Sequence, residues 1–315
     1  MAGRLEGQVA IVTGAGRGIG RGEALLLAQE GCRVVVNDFG GDKQGEGGDN
    51  SPADEVVAEI KKLGSDAVAN YGNVANFADG EAMVKQALDT FGRLDVLVNN
   101  AGILRDRMVF NMSEAEWDAV VDVHLKGHFT VTRFASMVFR QQRSGAIVNT
   151  SSESGLGNMG QANYSAAKEG ITGLTRTLAL DLGRYGVRAN AIRPRAATRL
   201  TMSAEMEEAR SRRQAAAAAQ GKAPAGPAED VGSTIGSLGP ELVAPLVVFL
   251  CTEKASNING RDFIVGGNEI SLMSQPTRER TIYREGGWDL DSLDRVFAST
   301  LGAGVKNPQP TQAPK

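Results

Sequence analysis

At 315 residues, 42% hydrophobic and 23% charged, the chain can bury one large core or two modest ones. A net charge of −3 and a pI near 5.6 argue against nucleic acid or an anionic membrane as the main partner. Cys32 and Cys251 stand too far apart in sequence to suggest a disulfide or zinc framework, and the strongest apolar run, "APLVVFLC" (244–251), is too short to span a bilayer.

Taken in chain order, "QVAIVTG" (8–14) reads as a buried strand and "GIGRGEALLLAQEG" (18–31) as the helix after it. "RVVVND" (33–38) is a second strand, followed by a glycine-rich polar loop, "GGDKQGEGGDN" (40–50). In "SPADEVVAEIKKLG" (51–64), Ser51 is expected as N-cap, Pro52 at the first helical position and Asp54 in the first turn. Further strands are expected in "DAVANY" (66–71), "RLDVLVNN" (93–100), "GAIVNTS" (145–151), "GVRANAI" (186–192) and "RDFIVGG" (261–267). Helical segments fill the gaps, one opening with a capping box at "SEAEW" (113–117). Strand–helix alternation with continuously apolar strands implies an α/β fold, a single doubly wound, Rossmann-like parallel sheet with helices on both faces.

That domain is expected over residues 1–270, interrupted by a flexible substrate lid at about 198–235, where "RSRRQAAAAAQGKAPAGPAED" (210–230) turns from basic to Ala-rich to Pro/Gly-rich. Residues 271–315 are expected as a C-terminal extension, with a short helix in "DLDSLDRVFAS" (289–299) and a disordered end. The N-terminus has no signal-peptide apolar core and "APK" is unlike a peroxisomal tripeptide, so the cytoplasm is the expected location.

"VTGAGRGIG" (12–20) follows the first strand and opens the first helix, as a phosphate-cradling loop requires. Gly14 permits the turn, and Gly18 and Gly20 let backbone approach a pyrophosphate. Asp38 ends the second strand, where a carboxylate accepts hydrogen bonds from ribose hydroxyls and repels a 2′-phosphate. NAD is therefore expected over NADP, although Arg17 points weakly the other way. "NYSAAKEG" (163–170) puts Tyr164 and Lys168 on one helical face, a common spacing that taken alone favours a packed aromatic beside a surface lysine over a catalytic pair. Met108, Phe110 and Met112 read as core or pocket wall, and His128 as packing.

Thr13-Gly14-x-x-x-Gly18-x-Gly20, Asn99-Asn100-Ala101-Gly102 and Tyr164-x-x-x-Lys168, in that order, resemble the short-chain dehydrogenase/reductase family. "VVVNDFGGD" (34–42), "NNAGILRDR" (99–107) and "GNMGQANYSAAK" (157–168) resemble its (3R)-hydroxyacyl-CoA dehydrogenase branch. The likeness covers most of residues 5–270 and fades over 200–235. It implies Tyr164 as general acid–base, Lys168 as the lysine that holds the nicotinamide ribose and lowers the phenol's pKa, and Ser152 as the catalytic serine. By residue count Ser151 is the alternative, because the loop before Tyr164 is one residue shorter than in relatives. His124 stands where most of the family has asparagine, either as a structural histidine or in a proton relay. The resemblance further implies that Ile19, Val74, Asn100, Ala101, Gly102, Pro194 and Thr198 contact the cofactor, with Arg195 replacing a common glycine in that last loop. No metal is implied.

The activity implied is NAD-dependent oxidation of a secondary alcohol, a (3R)-3-hydroxyacyl-CoA of fatty acid or steroid side-chain β-oxidation or a 17β-hydroxysteroid. The alternatives are an NADPH-dependent 3-oxoacyl-carrier-protein reductase and, from another class, a non-catalytic NAD-binding regulator or partner subunit. The helices around 113–140 and 164–185 resemble those that pair subunits in the family, so a homodimer or homotetramer is expected.

Overall fold

The computed structural model describes residues 3–42, 44–196 and 239–308; Thr198 and the lid expected at 198–235 lie outside them. The chain divides into two units, Met1–Met273 and Ser274–Lys315. The first holds one eight-stranded sheet, ordered β3-β2-β1-β4-β5-β6-β7-β8. The strands are β1 (Val9–Thr13), β2 (Arg33–Asn37), β3 (Ala67–Asn70), β4 (Val96–Asn99), β5 (Gly145–Thr150), β6 (Val187–Pro194), β7 (Asp262–Gly266) and β8 (Glu269–Leu272). Strands β1 to β7 are parallel.

Successive side chains of the central strands feed opposite cores, which is why these strands are apolar throughout. Ala10, Val12, Val34, Val36, Val96 and Val98 join one cluster under α1 (Gly18–Gln29), α2 (Ser51–Lys62) and α7 (Ala244–Cys251). Val9, Ile11, Val35, Leu97 and Ile147 join the other. That second core lies under α3 (Phe77–Phe91), α5 (Gly127–Gln142) and α6 (Ala162–Gly183). At roughly 1.5–3 kcal/mol per buried large aliphatic side chain, these two layers dominate the folding free energy.

Three local features depart from expectation. Ser51 does not cap α2: it is the first residue of the helix, following Asn50, and its amide and hydroxyl both donate to Asp49 Oδ1, at 3.0 and 2.7 Å. The helix expected near 113–140 starts at the capping box of Ser113 and Glu116 in α4 (Glu114–Val121) and then widens into a π turn at Asp122–Lys126 before α5. The last strand, β8, is antiparallel to β7 and joined to it by the two-residue turn Gly267-Asn268, with Gly267 at φ +53°.

In the second unit, Asp289 caps a short helix, α8 (Leu290–Val296), by accepting from the Ser292 amide at 2.8 Å. Among the described residues no helix is long and apolar enough to cross a membrane.

Candidate active site

The sheet order reverses between β1 and β4, whose carboxyl ends open a crevice where doubly wound sheets bind ligands. A cavity of about 420 Å³ sits there, and its wall includes Gly14, Asp38, Val74, Ser152, Tyr164 and Lys168. Arg17, Gly18, Ile19, Asn100, Ala101, Gly102, His124 and Pro194 face the same space. Gly20 lies just behind it, packed against the Gly14 carbonyl. The site residues read from the sequence thus converge on one cavity, apart from Thr198, which is outside the described residues.

The glycine loop is built to admit a phosphate. Gly14 has φ +63°, and a Cβ on it would stand 2.8 Å from the Ala101 Cα. Asn100 ties the loop to β4 by donating from Nδ2 to the carbonyls of Thr13 and Gly14, at 3.0 and 3.1 Å. Thr13 Oγ1 accepts in return from the amides of Asn100 and Ala101. No side chain caps the start of α1, so its first amides remain available to an anion. Asp38 is pinned by the amides of Gly16, at 2.8 Å, and Gly40, at 2.7 Å. These features fit a dinucleotide: a turn that excludes side chains, an uncapped helix start and a fixed carboxylate one strand away.

On the opposite wall, Lys168 is buried and its Nζ donates to the Thr150 carbonyl at 2.6 Å. Burial brings that amine down to about 7. It lies 5.5 Å from the Tyr164 ring centroid. Loss of water around Tyr164 pushes its phenol up to about 12, opposed by the hydrogen bond with Ser152, while the Asp106 charge adds to the rise.

Ser152 and Ser151 have separate roles in the fold. Ser151 is buried, with its hydroxyl donating to the Lys168 carbonyl at 2.8 Å and lying 3.2 Å from Thr172 Oγ1. The Ser152 side chain turns to the cavity, bonds Tyr164 and accepts from the Ser154 amide at 3.2 Å. His124, at the centre of the π turn, is buried and stands edge-on to Tyr164 with ring centroids 5.1 Å apart. Its Nε2 is 2.8 Å from the Ile103 carbonyl and 3.1 Å from the Ile103 amide, contacts that suit opposite tautomers, and the buried Nδ1 has no hydrogen-bond partner. Burial, then the charge of Lys168, hold its pKa well below the usual histidine value. Gly102 is obligatory beside it, since a Cβ would stand 2.3 Å from the His124 Cε1.

Other residues depart from the sequence reading. Met108 and Phe110 are exposed on the surface turn around Val109–Asn111, where a single helical turn offers no inward face. His128 is buried as expected and held down to about 3 by burial, its Nε2 unpartnered. Arg195, in place of the common glycine, grips Glu153 through Nε at 2.5 Å and Nη2 at 2.7 Å and also pairs with Glu269. Arg193 was not singled out, although a charged residue within the apolar run "ANAIRP" was a visible signal. It is buried and contacts the Ser152 carbonyl.

A dinucleotide cradle facing a serine, tyrosine and lysine across one crevice defines a nicotinamide-dependent oxidoreductase. The family model described as short chain dehydrogenase matches residues 8–211. The chain belongs to the short-chain dehydrogenase family. It is 44% identical over 300 residues to hydroxyacyl-CoA dehydrogenase ChsB1 of Mycobacterium tuberculosis, covering 92% of this chain and 87% of that protein. It is 46% identical over 271 residues to peroxisomal multifunctional enzyme type 2 of Mus musculus, covering 86% of this chain but only 33% of that longer protein. The crystal structure of a short chain dehydrogenase from Mycobacterium avium superposes with a TM-score of 0.78 at 41% identity, covering 98% of this chain and 99% of that one.

Proposed function

We propose that the chain is an NAD-dependent dehydrogenase that oxidises the 3-hydroxyl of a (3R)-3-hydroxyacyl-CoA whose acyl group is a fatty acid or a steroid side chain. The carrying observation is that Ser152, Tyr164 and Lys168 share one cavity with the fixed carboxylate of Asp38. The names of the two relatives, a hydroxyacyl-CoA dehydrogenase and a multifunctional enzyme, supply the substrate class.

In this reading Ser152 holds the substrate oxygen and Tyr164 Oη takes the alcohol proton. A bound oxidised nicotinamide supplies the hydride acceptor and a positive charge that favours the phenolate. Lys168, anchored on the Thr150 carbonyl, orients the ribose hydroxyls and passes a proton to or from Tyr164. Pro194 and Val74 wall the nicotinamide and adenine sides, with Thr198 proposed on the carboxamide. Asp38 selects NAD over the contrary signal of Arg17, which faces the cavity with its guanidinium 4.0 Å from Asp49. The purified protein is expected to reduce NAD⁺ with a (3R)-3-hydroxyacyl-CoA at least about 100-fold better than NADP⁺, by kcat/KM from absorbance at 340 nm. Preference for NADP⁺ would overturn the assignment of Asp38.

His124 is proposed as part of the proton path, its unpartnered Nδ1 sharing a water with Lys168. His124→Asn is expected to move the pH profile of kcat by about one unit; a superimposable profile would remove the relay. A homodimer or homotetramer belongs to the same reading, since Phe129, Met137 and Leu180 stand exposed on α5 and α6. Light scattering at micromolar concentration is expected to give a multiple of the 33.2 kDa chain mass, and a monomer would refute it. Two buried free thiols accord with the reducing cytoplasm.

A further inference from the structure

Two arginines flank Pro194, and both reach back to the start of the serine loop. Arg193 is 2% exposed at the end of β6, yet all three of its nitrogens are engaged. Nε donates to Asp262 Oδ2 at 2.6 Å on β7. Nη2 donates to Glu169 Oε2 at 2.8 Å, the residue after Lys168, and to Thr172 Oγ1 at 3.3 Å. Nη1 donates to the Ser152 carbonyl at 2.7 Å. Beyond Pro194, Arg195 holds the next residue, Glu153, in a two-pronged pair and reaches Glu269 on β8. Residues 152 and 153 are therefore fastened from two sides by side chains of the β6 end.

A buried ion cluster adds little stability over apolar packing of the same volume, because desolvating the charges costs about what their attraction returns. What a guanidinium adds is geometry: a planar fork whose donors stand at fixed angles. Here the fork joins the residue behind the lysine, the penultimate strand β7 and the backbone of the serine. The Ser152 carbonyl accepts from it and from the Gly155 amide, at 3.1 Å, so the serine's backbone is held at two points. The hydroxyl on that backbone is the group bonded to Tyr164.

We propose that Arg193 is a positioning residue that sets the Ser152 hydroxyl against Tyr164, with Arg195 holding the adjacent Glu153. The inference rests on the reading of Ser152 as the serine that touches substrate. It makes the serine's alignment depend on strands β7 and β8, far from the serine in sequence, through Asp262 and Glu269.

The test is a double-mutant cycle between Arg193→Met and Ser152→Ala, read as kcat for oxidation of a (3R)-3-hydroxyacyl-CoA with NAD⁺. In the parent background Arg193→Met is expected to lower kcat about 100-fold with KM for NAD⁺ unchanged. In the Ser152→Ala background it is expected to lower kcat no further. The alkaline displacement of the kcat pH profile caused by Ser152→Ala is expected in Arg193→Met as well. Equal losses in both backgrounds, or none in the parent, would overturn the positioning role while leaving the serine reading intact. An undiminished kcat in Ser152→Ala alone would remove the serine reading, and the positioning role with it. If Arg193→Met does not fold by circular dichroism, the same cycle is run with Arg193→Met/Asp262→Leu, which leaves no buried carboxylate unpaired. The same criteria then decide.

Discussion

Tyr164→Phe is expected to lower kcat by about 1,000-fold while the binding of NAD, followed by quenching of protein fluorescence, stays near that of the parent. The substitution removes one oxygen from a ring packed against His124 and Lys168, so the walls of the cavity stand unchanged. Oxidation requires the phenol in its base form. With burial pushing Tyr164 up to about 12 before a cofactor enters, kcat/KM in the parent is expected to climb steadily through the alkaline range. The climb reflects the growing fraction of phenolate and should be absent from whatever residual rate Tyr164→Phe retains. Full turnover in Tyr164→Phe would remove Tyr164 as the acid–base group.

Replacing Glu23 is the second change with a large expected effect. Glu23 lies on α1, wholly buried, with neither carboxylate oxygen hydrogen-bonded. Burial raises it from 4.5 to about 8. The folded protein therefore holds a proton at this position that the unfolded chain releases near pH 4.5. Its contribution to stability is fully present below that pH and is lost as pH rises through about 8, at about 1.4 kcal/mol per unit in between. His124 and His128, both depressed by burial, act in the opposite sense, losing stability as pH falls below 6.5. The difference between Glu23→Met and parent isolates the glutamate. Urea unfolding is expected to give similar stabilities near pH 5 and an advantage of a few kcal/mol for Glu23→Met by pH 8. Parallel curves across that range would refute the buried acid.

The sequence and the structure agree where short-range signals are strong. β-branched runs marked the parallel strands, glycines marked the phosphate loop, and a four-residue spacing put Tyr164 and Lys168 on one face of α6. The β8 hairpin went unread, although Gly267-Asn268 is a recognisable two-residue turn, because the strand beyond it is short and half polar. Ser51 is no cap because α2 starts one residue earlier than the Ser-Pro signal suggests, with Asn50 before the helix and Ser51 as its first residue.

Spacing along the chain by itself determined the parallel α/β frame, the glycine loop and the shared helical face of Tyr164 and Lys168, since each depends on residues within about one strand or one helical turn of each other. Only the tertiary structure decided how those groups ionise and what holds them. Glu23 lies within α1 and Glu30 just past its end, and one is sealed from water while the other pairs with Arg4. Arg193 and Asp262 are 69 residues apart before β6 and β7 bring them to 2.6 Å. Desolvation and ion pairing depend on which distant segments cover a group, and that covering exists only once the sheet has closed over its helices.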